Sequence, residues 1–299
     1  MDSIIRVSTR KDILMEIVNI KNVTYQYPNA DEPSLINVSM VLEEGNVYAL
    51  IGENGGGKST LCNLIKGFIP HIYYGDLEGV ATVFGKDVEE SELSDFVETV
   101  GYVSQNPFSQ ITGTTDTVFE EIAYGLQNLG LDKDIIIKKV RESLKLFGIE
   151  HLALKNPSQL SGGQKQRVAI SAIYAMDPDL IILDEPTSQL DPVGTLEIFS
   201  VVSLLKSKGK TVLLIENKIE LVAEYADKIF LMKDGTIIDE GSPKELLTKK
   251  STSDNGSFIP QFTLISMELQ DKGLDISHLT VLEEETIELV SHLIENKEE

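Results

Sequence analysis

Apolar positions along the chain follow two rhythms that alternate, and each predicts a different element. Ile36, Val38, Met40 and Leu42 alternate with polar residues, which predicts a half-buried strand. Val47 to Ile51 is a short continuous apolar run ending at Gly52, the pattern of a buried strand feeding a loop. Lys58 to Lys66 has helical spacing, and Gly67 follows as a residue suited to stop it. Leu180–Leu183 and Thr211–Ile215 are again continuous apolar runs, as in parallel strands covered on both faces, with helical spacing over 192–208 between them. Between Asn106 and Leu160 the strand pattern stops, and Val118–Leu129 and Ile135–Phe147 read as helices. Strand, helix, strand order implies an α/β fold, a parallel sheet flanked by helices, here carrying a helical insertion.

The segment 249–261 is a linker by composition, rich in Ser, Asn and Lys and ending near Pro260. Two helical segments follow it. The first runs from Phe262 to Lys272 and stops at Gly273. The second has Thr280 and Glu283 spaced as a capping box before Val281, Leu282, Ile287, Leu289, Val290 and Leu293. Each presents one apolar face, which must pack on something. Residues 1–12 are mixed and charged without the apolar core of a signal peptide, and read as an N-terminal extension. A chain of 299 residues with 41% hydrophobic and 25% charged residues is ordinary for a soluble globular protein. Its lone cysteine, Cys62, excludes an internal disulfide and reads as core packing. No apolar stretch is long enough to cross a membrane. The net charge of −22 would repel nucleic acid at long range, so no nucleic-acid partner is expected.

The strongest chemical signal is Gly52-Glu53-Asn54-Gly55-Gly56-Gly57-Lys58-Ser59-Thr60, which fits G-x-x-x-x-G-K-S/T. Glycines let consecutive backbone N–H groups curl around phosphate oxygens, and the following helix aims its positive end at the same anion. Lys58 neutralises the β- and γ-phosphates, and the Ser59 hydroxyl suits Mg²⁺. A second signal is Asp184-Glu185-Pro186, two carboxylates at the C-terminal end of a buried strand, where ligands bind in such sheets. Asp184 is suited to hold Mg²⁺, and Glu185 to orient or deprotonate a water.

With these in place, Leu160-Ser161-Gly162-Gly163-Gln164-Lys165-Gln166-Arg167 resembles the signature sequence of ATP-binding cassette (ABC) ATPases. The resemblance spans roughly residues 14 to 248 and implies an ABC ATPase domain over 13–248 built on a P-loop NTPase (RecA-like) core. An antiparallel β subdomain and a helical subdomain at about 106–175 accompany the core, and 262–299 forms a small C-terminal helical dimerisation extension. It implies ATP and Mg²⁺ as cofactors and a head-to-tail dimer. Ser161, Gly162, Gly163 and Gln164 of one subunit would then meet the γ-phosphate in the other's cradle. Tyr27 resembles the aromatic that stacks on adenine. Gln105 resembles the glutamine that reaches Mg²⁺ and the water. Ser188-Gln189-Leu190-Asp191 resembles the loop that crosses the dimer interface. One position departs from the family: Glu216-Asn217-Lys218 stands where a switch histidine is expected. Asn217 can donate a hydrogen bond to the γ-phosphate but cannot carry charge or relay a proton. Strong ATP binding with weakened hydrolysis in the chain's own site is therefore expected.

Three features resemble the ATPases of energy-coupling factor (ECF) transporters in particular. They are Gln105-Asn106-Pro107 with Gln110-Ile111, Glu121 to Leu126 and Asn128-Leu129-Gly130; Phe68 to Ile72 with Gly75, Leu77 and Gly79; and the tail, with Pro260, Leu264, Leu269, Gly273, Leu274 and Glu283-Glu284. The resemblance implies an ATP hydrolase bound peripherally at the cytoplasmic face of the cell membrane. It would power uptake of a vitamin, a vitamin precursor or a transition-metal ion. The implied partners are a second ABC ATPase subunit, identical or related, a transmembrane coupling protein, and a small membrane protein that captures substrate. Two other readings share the motifs: an ATP-gated subunit that hydrolyses weakly or not at all, and a soluble ABC ATPase outside transport.

Overall fold

The computed structural model describes residues 15–249, 252, 259–274, 276 and 278–298. The N-terminal extension and most of the linker thus lie outside the described residues. The strands in chain order are β1 (Glu16–Gln26), β2 (Leu35–Glu43), β3 (Val47–Ile51), β4 (Asp76–Val83), β5 (Lys86–Asp87), β6 (Val100–Val103), β7 (Leu180–Asp184), β8 (Thr211–Ile215), β9 (Lys228–Lys233) and β10 (Thr236–Gly241). The helices are α1 (Lys58–Ile65), α2 (Phe68–His71), α3 (Ser94–Val97), α4 (Pro107–Gln110), α5 (Val118–Asn128), α6 (Lys133–Leu146), α7 (Gly162–Ala175), α8 (Pro192–Ser207), α9 (Ile219–Tyr225), α10 (Pro243–Leu247), α11 (Gln261–Asp271) and α12 (Glu283–Glu298).

Two sheets form. The first is antiparallel, in the order β2-β1-β4-β5. The second has the order β10-β9-β3-β8-β7-β6, and all its pairings are parallel except β10 with β9. Every residue of β3 and β8 is buried, as a continuous apolar strand requires when both faces are covered. Alternate residues of one strand feed opposite cores. Tyr48, Leu50, Ile182 and Leu213 join the antiparallel sheet and the α1 residues Leu61 and Leu64. Val47, Ile181, Leu183 and Val212 join the helices α5 to α8. The insertion between β6 and β7 is helical as the patterning predicts, with Ile122, Val140 and Val168 at its centre. Within it, the Ser143 and Ser171 hydroxyls satisfy one another at 2.8 Å.

Two local expectations are corrected. The alternation in β2 starts one residue earlier, because Leu35 is buried while Ile36 is 41% exposed. Asn37 takes a φ of +50° beside a register shift against β1, and this irregularity turns Ile36 outward. Thr280 does not form a capping box. Its hydroxyl pairs with that of Thr286 at 2.7 Å and approaches the Phe262 carbonyl, while Glu285 accepts the Val281 N–H at 3.1 Å. Tertiary partners outcompete the local cap. The C-terminal pair α11 and α12 is anchored by Val281, which packs with Ile219, Val222, Leu246 and Leu247. Several apolar residues of that pair stay exposed, among them Leu264, Ile265, Ile287 and Ile294.

Candidate nucleotide site

Because β3, β8, β7 and β6 are parallel neighbours, their C-terminal ends open on one edge of the sheet. β3 delivers the glycine-rich loop, β8 delivers Glu216 and Asn217, β7 delivers Asp184 and Glu185, and β6 delivers Gln105. Adjacent strands lie about 4.8 Å apart, so side chains from neighbouring ends can touch. Gln105 Nε2 donates to Glu185 Oε2 at 2.5 Å across 80 residues of sequence.

The glycines of the loop are demanded by space as well as by φ. A Cβ on Gly52 (φ +143°) would lie 2.0 Å from the Met232 carbonyl oxygen, and one on Gly57 (φ +99°) 2.7 Å from that of Ser34. The loop therefore packs its backbone on β9 and on the start of β2 while Glu53, Asn54, Gly55 and Ser59 face outward. Lys58 is 6% exposed, and its ammonium donates to the carbonyls of Gly52 at 2.7 Å and Glu53 at 2.9 Å. Burial lowers its pKa, and the charges of Glu185 and Asp184 oppose that shift.

Glu185 occupies the left-handed region at φ +44°, and its N–H is held by the Ile215 carbonyl at 2.9 Å. Non-glycine residues in that region cluster at functional sites. Desolvation raises its pKa, the Asp184 and Glu216 charges push the same way, and Lys58 opposes them. A carboxylate held reluctantly ionised is a better proton acceptor near neutral pH. Asp184 accepts a hydrogen bond from the Tyr102 hydroxyl at 2.8 Å. Behind the pair, Thr187 donates to Glu216 Oε2 at 2.6 Å while the Asn217 N–H donates to Glu216 Oε1 at 2.9 Å. The Asn217 side chain is exposed on the same edge. Beyond Gln105, the loop into α5 is clamped by buried Glu121, which accepts from Thr112 N at 2.8 Å and Thr115 Oγ1 at 2.5 Å.

Among the described residues no three His, Cys, Asp or Glu side chains converge as a metal cage. Ser59, Gln105 and Asp184 offer hard oxygens and only one carboxylate, the kind of set that suits Mg²⁺ shared with substrate phosphates. Tyr27 lies over the helix that follows the cradle. Its hydroxyl is 3.4 Å from Thr60 Oγ1, and its ring packs edge-on against Tyr25 at 4.9 Å and Tyr73 at 6.0 Å.

The other predicted residues stand elsewhere. Ser161, Gly162, Gly163 and Gln164 line a cleft of about 570 Å³ together with Asp191, and no residue of the cradle lines it. Ser161 caps α7, accepting the Gln164 N–H at 3.3 Å, and Asp191 caps α8, accepting the Gly194 N–H at 2.7 Å. Arg167 bridges the two helices through Glu197 at 2.9 Å. The serine-tipped helix thus opens on a cleft that no cradle residue lines. Sequence reasoning missed Tyr102, Lys66 and Thr187. Lys66 had a readable signal: Lys58, Cys62 and Lys66 recur every four residues, one stripe along α1.

The family profile described as ABC transporter matches residues 35–188. The chain is 38% identical over 274 residues to the energy-coupling factor transporter ATP-binding protein EcfA1 of Ligilactobacillus salivarius, covering 91% of this chain and 94% of that one. It is 40% identical over 240 residues to EcfA of Methanocaldococcus jannaschii, covering 80% and 83%. Among solved structures it is similar to cbiO1 from Clostridium perfringens, part of the ABC transporter complex cbiONQ, with a TM-score of 0.73 and 32% identity over 86% of this chain and 97% of that one. It is also similar to the cassette MJ0796, in a dimer bound to ADP and Pi, with a TM-score of 0.65 and 28% identity over 76% and 98%.

Proposed function

The chain belongs to the ABC transporter family as an ATP-binding protein, and from that premise we propose that it powers an uptake transporter of the energy-coupling factor type. Its cargo would be a vitamin, a vitamin precursor or a transition-metal ion. The observation that carries the mechanism is that the cleft lined by Ser161 to Gln164 and Asp191 includes no residue of the cradle. A triphosphate held by Lys58 and the loop amides lacks its second wall until the Ser161–Gln164 surface of another subunit closes on it. Similarity to EcfA proteins over most of the chain supports the transporter class.

In this reading the amides of Gly55 to Lys58 and the N-terminus of α1 hold the β- and γ-phosphates, and Lys58 exchanges its two carbonyl contacts for phosphate oxygens. Ser59, Gln105 and Asp184 would hold Mg²⁺, which when bound would neutralise charge at the phosphates. Glu185 orients the attacking water and accepts its proton, with Gln105 holding its carboxylate in place. Tyr27 offers its ring to the base. Asn217 donates to the γ-phosphate without relaying a proton, which leaves turnover in this site slow. A partner ATPase with a histidine there would carry the larger share. The acidic surface suits a basic docking element on a membrane coupling protein at the cytoplasmic face. The tail helices α11 and α12, with exposed Leu264, Ile265, Ile287 and Ile294, would contribute to pairing of the two ATPases.

The test is purification of the full chain from its native membrane with its associated subunits, followed by ATP titration of Glu185→Gln. ATP-dependent pairing and co-purified membrane subunits are expected. Absence of nucleotide affinity, or pairing indifferent to ATP, refutes the reading. Asn217→His in the assembled complex should raise turnover by roughly 10². An unchanged rate refutes the role given to Asn217.

A further inference from the structure

We propose that Lys66 and Tyr102 act as a positioning pair for Asp184, the Lys66 ammonium pressing on the Tyr102 ring while the Tyr102 hydroxyl fixes one carboxylate oxygen. This rests on the reading that Asp184 serves Mg²⁺. Lys66 closes the stripe that begins at Lys58 and is only 7% exposed. Buried lysines are rare unless paired. Yet among the described residues its ammonium makes no ion pair, and it lies 3.5 Å from the centroid of Tyr102 and 4.4 Å from that of Phe68. The Tyr102 hydroxyl under this cation in turn reaches the Asp184 carboxylate. Burial lowers the Lys66 pKa, and Cys62 and then Asp184 oppose that drop.

Tyr102 is itself pinned. Its hydroxyl donates to Asp184 Oδ2 at 2.8 Å, and its carbonyl accepts from Gln110 Nε2 at 3.3 Å. The other end of Gln110 receives the Ser104 N–H at 3.2 Å, next to Gln105. A cation on the π face draws electron density from the ring and strengthens the phenol as a donor in a low-dielectric setting. The bond engages Oδ2 and so fixes the orientation of the carboxylate. Outer groups of this kind orient ligating carboxylates, and their loss typically costs 10- to 100-fold in metal affinity. The pair also ties the carboxylate of β7 to β6, the strand that leads to Gln105 and the helical insertion.

Tyr102→Phe in the full chain keeps the ring and its cation and removes only the hydroxyl. Binding of a fluorescent ATP analogue is measured in EDTA and across a Mg²⁺ titration. The Mg²⁺ midpoint should rise about 10-fold in Tyr102→Phe while affinity in EDTA stays within twofold. Lys66→Met should shift the midpoint the same way by roughly threefold, Lys66→Arg should restore it, and the double variant should match Tyr102→Phe alone. A Tyr102→Phe midpoint within about twofold of the parent overturns the proposal, as does an additive double variant. Asp184→Asn separates the two layers. If it leaves the midpoint unchanged, the reading of Asp184 as metal ligand falls, and the pair falls with it. If it shifts the midpoint and Tyr102→Phe does not, only the pair is refuted.

Discussion

Thr187 is a sharp probe of how the loop after β7 is tied to the end of β8. It is fully buried, and its hydroxyl donates at 2.6 Å to Glu216, which is 3% exposed and, among the described residues, accepts otherwise from the Asn217 N–H. The Thr187 carbonyl also receives the Lys218 ammonium at 3.2 Å, which continues to Thr195 Oγ1 at 2.7 Å. Thr187→Val keeps shape and volume, so no cavity forms and the loss is that of one hydroxyl-to-carboxylate bond. Such a bond is worth about 1.5–3 kcal/mol, and stranding a buried carboxylate oxygen places the cost at the upper end. At roughly 2–4 °C per kcal/mol for a chain of this size, the melting temperature without nucleotide should fall by about 5–10 °C. Thr187→Ser restores the hydroxyl and should recover most of it. The assay is thermal unfolding followed by circular dichroism, with turnover measured on the same samples. Since Thr187 lies between Glu185 and Asp191, turnover should fall below what the lost stability accounts for. A valine variant melting within about 2 °C of the parent, or a serine variant equally damaged, would refute the reasoning.

Other outcomes follow from the same geometry. The Glu185 carboxyl is held above its ordinary range by burial and by Asp184, and it must be ionised to accept a proton. Turnover should therefore rise with pH through a limb placed above the normal glutamate value, and Glu185→Gln should abolish the limb and cut turnover about 10²- to 10⁴-fold. Because the folded-state pKa is the raised one, the ionised side chain costs stability once pH exceeds the unfolded value; Glu185→Gln should flatten that loss in urea titrations across pH. Gly52→Ala places a Cβ 2.0 Å from a backbone oxygen and should cost about 3 kcal/mol or more, whereas Gly55→Ala meets nothing within 4 Å and should cost only its φ strain, about 1–2 kcal/mol. Denaturant midpoints distinguish the two. Val281→Asp buries an unpaired charge beside Ile219 and Leu247, forfeits about 2 kcal/mol of apolar contact, and should expose the tail to limited proteolysis while nucleotide affinity stays within twofold.

The motifs were legible in the chain because they consist of particular residue types at short spacing. A glycine loop before Lys58 and a carboxylate pair closing an apolar strand can each be recognised from a few neighbouring residues. The continuous apolar runs at β3, β7 and β8 fixed the parallel character of the sheet for the same reason. The sequence could not show which strands are neighbours, since pairing joins residues far apart. Only the order β3-β8-β7-β6 brings Gln105 onto Glu185 and Tyr102 onto Asp184. Lys66 illustrates the limit: helical spacing puts it below Lys58, but its meaning comes from two aromatic rings supplied by other elements. Thr280 failed as a cap because Thr286 and Phe262, brought close by folding, offered its hydroxyl better partners. Local patterning thus determined the elements and the reagents. The tertiary fold alone decided which of these residues touch, because contacts between distant segments exist only once the apolar faces have packed.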